Sequence, residues 1–478
     1  MKSIKAFLPI IILLLTVNSN LHATVTLPYF IADNMVLQQQ AEPLIWGWTN
    51  TSNKISITTS WNKKKYTAIP DDKGKWKINI PTPVAGGPYE ITITDGSSII
   101  LKNILIGEVW LCSGQSNMEM PMKGFRDQPI LGSNDAIFNS SNDNIRLYTV
   151  PRSVQRLPQD TSKKQTWKPA EPEAVSNFSA TAYYFGRLLQ QRLNVPVGLI
   201  CISYGGSPVE AFMDEKSLGG FAELAPFPSK TDLKEKLNNK YPTVLYNGML
   251  NPFLGFTVKG CLWYQGETNY DHAKQYETLF PAFVKMLRSK SNNDSLPFYY
   301  AQIAPYDYAQ YATDSAPKFN SAFLRDAQRK ALAKIPNSGM VTLMDIGEEH
   351  SIHPMNKEIG GKRFAYLALA KTYKQKGFAC EGPLYDSLSI SGSVATIKFI
   401  NADNGLTSYG KPLTGFEIAG SNKVFRPATA VIVQGKIVVT SPYVTNPVAV
   451  RYAFKDFVVG DLFNTEGFPA SSFRTDNW

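Results

Sequence analysis

The hydrophobic and polar positions divide the chain into stretches of different character. From residue 24 to about 104, apolar residues such as Trp76 and Ile78 alternate with polar ones. A period of two predicts half-buried β-strands, and the Gly- and Pro-containing segment 85–88 predicts a turn. Short β-rich runs of the same kind return from about residue 377 to the end. We therefore predict a β-sandwich-like module on each flank.

The middle of the chain contains apolar runs separated by helical patterns. The clearest helix is predicted for residues 180–193, where Ala182, Phe185 and Leu189 share one face and Ser179 is the N-cap. Apolar strands that alternate with helices indicate an α/β fold, with a parallel sheet sandwiched by helices. Five such strands are predicted, at residues 104–112, 197–203, 258–264, 298–303 and 340–345.

The first 23 residues have the pattern of a secretory signal peptide. Lys2 and Lys5 precede an apolar run from Ala6 to Val17, and Ala23 is a small residue at the expected cleavage point. The run is shorter than the roughly 20 residues that span a bilayer. We expect an exported protein, periplasmic or secreted, without a membrane span. The predicted domains are a signal peptide at 1–23, an N-terminal β domain at 24–104, an α/β catalytic domain at 105–376 and a C-terminal β module at 377–478.

Composition narrows the possible partners. The formal net charge of +10 is spread over 478 residues, and no dense Lys/Arg stripe appears, so we predict no nucleic-acid partner. The excess is compatible with an acidic substrate and equally with a solubilising surface. Three of the four cysteines lie in apolar strand-like runs, so we expect buried thiols rather than disulfides. The cysteines are Cys112, Cys201, Cys261 and Cys380.

Polar residues follow the predicted strands where the strands end. Ser116 follows the first strand, Gly205 and Gly206 follow the second, Gln265 follows the third, and His353 comes shortly after the fifth. Ligands of α/β sheets bind beyond the carboxyl ends of the strands. A serine, a glycine pair, an amide and a histidine at one edge predict acyl-transfer chemistry.

A serine hydroxyl needs a base to become a nucleophile, and histidine is the usual one near neutral pH. His353 is followed by Pro354 and a helix predicted to reach residue 370, and the positive end of that helix would disfavour imidazolium. We predict Ser116 as nucleophile, His353 as base and Ser113 as structural. The alternatives are a helix cap for Ser116 and an ordinary loop histidine. The other histidines after the leader are His272 and His350.

The oxyanion of the tetrahedral intermediate needs hydrogen-bond donors. The candidates are the backbone N–H of Ser116, an N–H of Gly205 or Gly206, and the side-chain amide of Gln265. The alternatives are a plain turn for the glycine pair and a structural hydrogen-bonding role for Gln265. Glu267 is predicted as a buried supporting partner.

A zinc site at His350 and His353 is the metal alternative. It needs a third ligand from elsewhere, and the cysteines are predicted to be buried. We therefore predict neither metal nor cofactor.

Several segments resemble the sialate O-acetylesterase family of the SGNH hydrolases. The main ones are Gly107 to Glu119 (GEVWLCSGQSNME), Trp263 to Asn269 (WYQGETN) and Ile352-His353-Pro354 with Lys357; the likeness continues at 33–38, 46–48, 450–452 and 473–476. The nucleophile segment differs from the G-x-S-x-G motif, because Met118 stands where the second glycine belongs.

The resemblance implies an SGNH-hydrolase-like sheet and metal-free hydrolysis of O-acetyl esters, notably on sialic acids and most specifically at the 9-O position. It carries the nucleophile onto Ser116, the base onto His353 and the donors onto the glycine pair and Gln265, with Asn269 in a supporting position. One position departs from the pattern. SGNH enzymes often place an acid two or three residues before the histidine, where this chain has Ser351 and His350. The candidates to orient His353 are Asp345, Glu348, Glu349 or a backbone carbonyl, and a Ser-His dyad is the alternative.

The hypothesis from sequence is therefore an esterase that releases acetate from an O-acetylated sugar through an acyl-enzyme. One alternative is an acetylesterase for plant polysaccharides such as acetylated xylan. Another is a non-catalytic sugar-binding protein, because 12% aromatic residues and β modules suit stacking on sugars. The oligomeric state is not predicted.

Overall fold

The computed structural model describes residues 25–229, 236–311 and 320–478. The predicted signal peptide lies outside these residues. No helix in the described ranges is long and apolar enough to cross a membrane.

The N-terminal strands lead into the central sheet without a break. They are β1 (Val36–Gln38), β2 (Leu44–Trp48), β3 (Ile55–Thr59), β4 (Lys65–Ala68), β5 (Lys75–Asn79) and β6 (Gly86–Thr94). Strands β1 and β6 pair with the first part of the 17-residue strand β7 (Ser98–Gly114), whose later part lies in the central sheet. The predicted boundary at residue 104 therefore falls inside one continuous strand, and the division into domains stays a prediction.

The central sheet has the order β13-β12-β11-β7-β10-β8-β9, and only its edge strand β9 is antiparallel. Its further strands are β8 (Asn142–Thr149), β9 (Lys168–Ala170), β10 (Val197–Ser203), β11 (Gly260–Tyr264), β12 (Phe298–Ala301) and β13 (Ser338–Val341). The five predicted strands correspond to β7, β10, β11, β12 and β13, which confirms the α/β class. Strand β8 was not predicted.

Helices cover both faces of this sheet. They are α1 (Ser116–Glu119), α2 (Ser133–Phe138), α3 (Pro172–Ser176), α4 (Ala180–Leu193), α5 (Ala273–Lys290), α6 (Ala322–Ala331) and α7 (Lys357–Leu367). Helices α4 and α7 pack together on the core that contains Cys112, and α5 and α6 pack on the opposite core that contains Leu111. Helix α4 confirms the predicted bounds, and Ser179 Oγ accepts from the Ala182 N–H at 3.1 Å.

The C-terminal part is antiparallel. Its strands are β14 (Leu384–Ser391), β15 (Val394–Ile400), β16 (Leu406–Thr407), β17 (Phe416–Ala419), β18 (Phe425–Pro427), β19 (Thr429–Val433), β20 (Lys436–Thr440), β21 (Ala449–Tyr452), β22 (Phe463–Asn464) and β23 (Phe473–Arg474). Two four-stranded sheets, β14-β15-β20-β19 and β18-β17-β21-β23, share one apolar core that includes Ile397 and Ile418. This agrees with the expected sandwich-like module. All four cysteines are free thiols, as expected.

Candidate active site

Strand β7 delivers Ser116 to the carboxyl edge of the sheet. Gly114 has φ +144°, and a Cβ there would lie 2.1 Å from the Tyr264 carbonyl oxygen, so only glycine fits this crossing. Ser116 follows as the first residue of α1 and is half-buried. Its hydroxyl has no hydrogen-bond partner within the described residues. Ser113 is 1% exposed and donates to the Ile202 carbonyl at 2.7 Å, which fits its predicted structural role.

The glycine pair after β10 lies against this turn. A Cβ on Gly205 would be 3.3 Å from the Ser116 Cβ, so a side chain there would crowd the serine. The Gly205 N–H donates to Glu119 Oε2 at 2.8 Å, while the other carboxylate oxygen accepts from Arg152 Nε at 2.6 Å. The N–H of Gly206 has no acceptor among the residues that the structure describes. One of the two predicted glycine donors is thus already occupied.

Gln265 lies inside the protein rather than on the open edge. It is 0% exposed, and its amide donates to the Ser207 carbonyl at 3.2 Å and to Asn269 Oδ1 at 2.6 Å. Its carbonyl accepts from the Tyr276 hydroxyl at 3.0 Å. Because these contacts use the amide, the structure favours the structural alternative for Gln265 over the oxyanion role. Asn269 also accepts from the Val209 N–H, and so links the turns after β10 and β11.

A buried polar network joins the serine turn to the histidine segment. Asn117 Nδ2 donates to Glu267 Oε1 at 2.5 Å and to the Ile352 carbonyl at 3.0 Å, while Lys357 Nζ donates to Asn117 Oδ1. Burial raises the pKa of Glu267 and lowers the pKa of Lys357 to about 7, against the opposing effect of the Glu267 and Glu348 carboxylates. The residues next to Ser116 and His353 therefore meet, although they are 235 positions apart in sequence.

The histidine segment differs from its prediction in one respect. We expected Pro354 to open the following helix, but α7 begins at Lys357, and Asn356 is its N-cap with a side chain that accepts from the Ile359 N–H. The helix end is therefore not what keeps His353 neutral. Burial, followed by the Lys357 ammonium, lowers the pKa of His353 to about 4.

The ring of His353 is held by a residue that sequence reasoning missed. Its Nδ1 lies 2.5 Å from Gln128 Oε1. No motif or periodic pattern marks Gln128, which lies in the loop after α1. Within the described residues, none of the three predicted carboxylates contacts the ring.

Each of these carboxylates has another partner. Asp345 forms a bidentate ion pair with Arg363, with N–O distances of 2.7 and 2.6 Å. Glu348 accepts from the Met355 N–H at 2.6 Å, and Glu349 lies 3.9 Å from His350. The prediction of an acid beside His353 therefore fails in this structure, because these charges satisfy other donors.

The other two histidines lie outside this arrangement. The side chain of His350 is 82% exposed, and His272 pairs with Asp271 at 2.7 Å with 63% exposure. Ser116 and His353 remain at one edge of the sheet, with polar residues that are mostly buried beneath them.

Comparison with known proteins assigns the family. A sequence model described as "SASA: Carbohydrate esterase, sialic acid-specific acetylesterase" matches residues 106–368, more than half of the chain. The chain belongs to this family. It is therefore an esterase, and the matched region runs from β7 to the end of α7.

Similarity to other carbohydrate esterases extends beyond the matched region. The chain is 33% identical to a carbohydrate acetylesterase from Xanthomonas citri of known structure, with a TM-score of 0.86, covering 95% of this chain and 100% of the other. It is 27% identical over 390 residues to sialate O-acetylesterase from Homo sapiens, covering 76% of this chain and 73% of the relative. For the Mus musculus sialate O-acetylesterase the identity is 26% over 419 residues, with 76% of each covered.

Family membership agrees with the resemblance noted in the sequence. The segments that carried it surround the network of Asn117, Glu267 and Lys357. Two of these residues received no more than a supporting or motif role in the sequence analysis: Asn117 was marked only as a polar residue after an apolar strand, and Lys357 only as part of the histidine motif. Their pairing required three-dimensional structure, because polar burial alone does not name the partner.

Proposed function

We propose that the chain is a carbohydrate O-acetylesterase for O-acetylated sialic acids, most specifically at the 9-O position, with an SGNH-hydrolase-like catalytic site. Ser116 is the proposed nucleophile and His353 the proposed general base. The observation that carries the proposal is the Asn117–Ile352 hydrogen bond of 3.0 Å, because it joins the neighbours of these two residues. Membership of the carbohydrate esterase family supports the same chemistry.

The proposed reaction is a double displacement. His353 Nε2 takes the proton of the Ser116 hydroxyl as its oxygen attacks the acetyl carbonyl, and imidazolium then returns that proton to the departing sugar oxygen. A water molecule, deprotonated by His353, attacks the acetyl-serine, and acetate leaves as Ser116 regains its proton. The lowered pKa of His353 supports the base role, since the ring is neutral at physiological pH.

The proposed oxyanion donors are backbone groups. The Ser116 N–H lies in the first turn of α1, where helical N–H groups have no intrahelical acceptor. The Gly206 N–H is the second proposed donor. Gly205 joins them only when the Glu119 carboxylate releases its N–H. Gln265 supports the turn from beneath.

Arg152 favours a sialic acid over a neutral sugar. Its side chain is 54% exposed, lies over the Tyr204 ring at 4.6 Å and is paired with Glu119, whose other oxygen binds Gly205. A guanidinium can bind a carboxylate through two parallel hydrogen bonds, and sialic acids carry a carboxylate. We propose that Arg152 contacts this group of the substrate.

The test is acetate release from a panel that contains 9-O-acetylated sialic acid and acetylated xylan. We expect the higher kcat/KM for the sialic acid, and its loss by at least about 1,000-fold in Ser116→Ala. Arg152→Ala should raise KM for the acidic sugar and leave xylan unchanged, with the exposed Arg426→Ala as matched control. Activity of Ser116→Ala at the parent rate would refute the mechanism.

Acetylated polysaccharide is the second candidate substrate. The structural relative from X. citri is named a carbohydrate acetylesterase without mention of sialic acid, and it covers nearly the whole chain. Higher kcat/KM on acetylated xylan, together with no effect of Arg152→Ala, would favour this candidate. Binding of glycans without acetate release from any ester would instead indicate a sugar-binding protein.

A further inference from the structure

The loop that carries Gln128 is fixed on two sides. The Met122 N–H donates to the Phe178 carbonyl at 2.9 Å on the side of α4, and the Leu131 N–H donates to the Met355 carbonyl at 3.1 Å on the side of the histidine segment. A rigid loop can hold a side chain in one place before substrate arrives.

Within the loop, the backbone turns so that Gln128 faces His353. The Gln128 N–H donates to the Phe125 carbonyl at 3.1 Å, and Gly124 has φ +83°. A Cβ at Gly124 would lie 2.4 Å from the Gln128 carbonyl oxygen, so the turn requires glycine. The Phe125 ring packs edge-on against the imidazole, with centroids 5.3 Å apart. The ring of His353 thus has an apolar wall and one polar contact from the same loop.

We propose that Gln128 is the positioning residue for His353 and replaces the acid of a Ser-His-Asp triad. Its side-chain carbonyl accepts the Nδ1–H, which leaves Nε2 unprotonated and directed to the substrate side. A triad aspartate holds the tautomer and also stabilises imidazolium by its charge. A neutral amide supplies the first effect without the second. This inference rests on the proposed function.

The charges around His353 come from few groups. Lys357 lies on the same segment, and the carboxylates of Glu348 and Glu267 face Lys357. Beside Gln128, the side chains of Arg126 and Asp127 are 95% and 88% exposed and contact each other at 3.5 Å. A carboxylate introduced at residue 128 would therefore be the nearest anion to the ring.

The test compares Gln128→Ala and Gln128→Glu with the exposed control Gln434→Glu in the full chain. Histidine ¹⁵N NMR, assigned with His353→Asn, reports tautomer and titration without any need for activity. We expect the Nδ1–H tautomer in the parent protein and a mixture in Gln128→Ala. In Gln128→Glu the titration midpoint of His353 should rise by about 1–3 pH units, as expected for a new opposite charge within a few ångström.

Kinetics give the second readout. Gln128→Ala should lower kcat by about 100-fold with little change in KM, because the base loses its orientation. In Gln128→Glu the acid limb of kcat/KM should move upward with the NMR midpoint, while Gln434→Glu matches the parent.

Two outcomes separate the proposals. Unchanged tautomer in Gln128→Ala, with kcat within twofold of an active parent, overturns the role of Gln128 and leaves the esterase proposal intact. A parent that releases no acetate from any ester refutes the proposed function, and the NMR result still decides whether Gln128 sets the tautomer.

Discussion

The pH dependence of kcat/KM should show an active base far below the usual range of histidine. Burial and the Lys357 ammonium lower the pKa of His353 to about 4. A base must be neutral to accept the serine proton, so activity is present above this pKa and falls as the pH drops through it. At pH 5.5 a group of pKa ~4 is about 97% neutral, whereas an ordinary histidine of pKa ~6.5 is about 9% neutral.

The expected difference is therefore roughly tenfold in kcat/KM at pH 5.5 relative to pH 8. The assay is initial-rate acetate release at substrate concentrations well below KM, between pH 3.5 and 8. Hydrolysis by Ser116→Ala is subtracted as background, and tryptophan fluorescence confirms the folded state at each pH. An acid limb with a midpoint near 6.5 in a protein that stays folded would refute the reasoning.

A double variant separates the two causes of the low pKa. Lys357→Met with Glu267→Gln removes a buried cation and a buried anion of the network without leaving either charge unpaired. The acid limb should then rise above that of the parent and remain below 6.5, because burial is the larger cause. An acid limb that does not move would show that the Lys357 charge does not act on His353.

Two further predictions concern the buried residues beneath the site. Gln265→Leu leaves Asn269 and other buried groups unpaired, so the free energy of unfolding should fall by on the order of 3 kcal/mol in denaturant titrations. The kcat of the folded fraction should fall by less than the ~100-fold expected for a lost oxyanion donor, and a larger loss would restore that role. Asn117→Ala removes the contact shared by Glu267 and Lys357 and should cost about 3 kcal/mol; the exposed Asn446→Ala is its control, and equal stability of both variants would contradict the network.

The elements that were predicted well are those with a local signal. Residues 180–193 carry a complete apolar face and a serine cap, so neighbouring residues alone define the helix. Strand β10 is buried along its whole length, and its apolar run was visible in the sequence. Strand β8 was missed because only Ile145 to Tyr148 are buried within it, and that stretch includes Arg146.

The start of α7 shows how one signal can mislead. Pro354 suits a first helical position, but Asn356 followed by Lys357 and Glu358 is the stronger start, because an asparagine side chain can accept from the first turn. A local reading could have found it. The proline instead lies in the turn that carries His353.

The partner of His353 could not be found in this way. Gln128 is 225 positions from the histidine, and a glutamine in a loop has no periodicity and no motif. The search for an acid near residue 353 in sequence assumed that the orienting group is charged and local. Asp345 was a reasonable candidate until Arg363 proved to hold both of its oxygens.

The identity of the nucleophile is the central claim, and covalent labelling tests it most directly. A fluorophosphonate reacts with a serine that a neighbouring base activates, and peptide mass spectrometry locates the adduct. We predict one adduct on Ser116, none on the buried Ser113, and none in His353→Asn. An adduct on another residue, or labelling of Ser116 that persists without His353, would contradict the account.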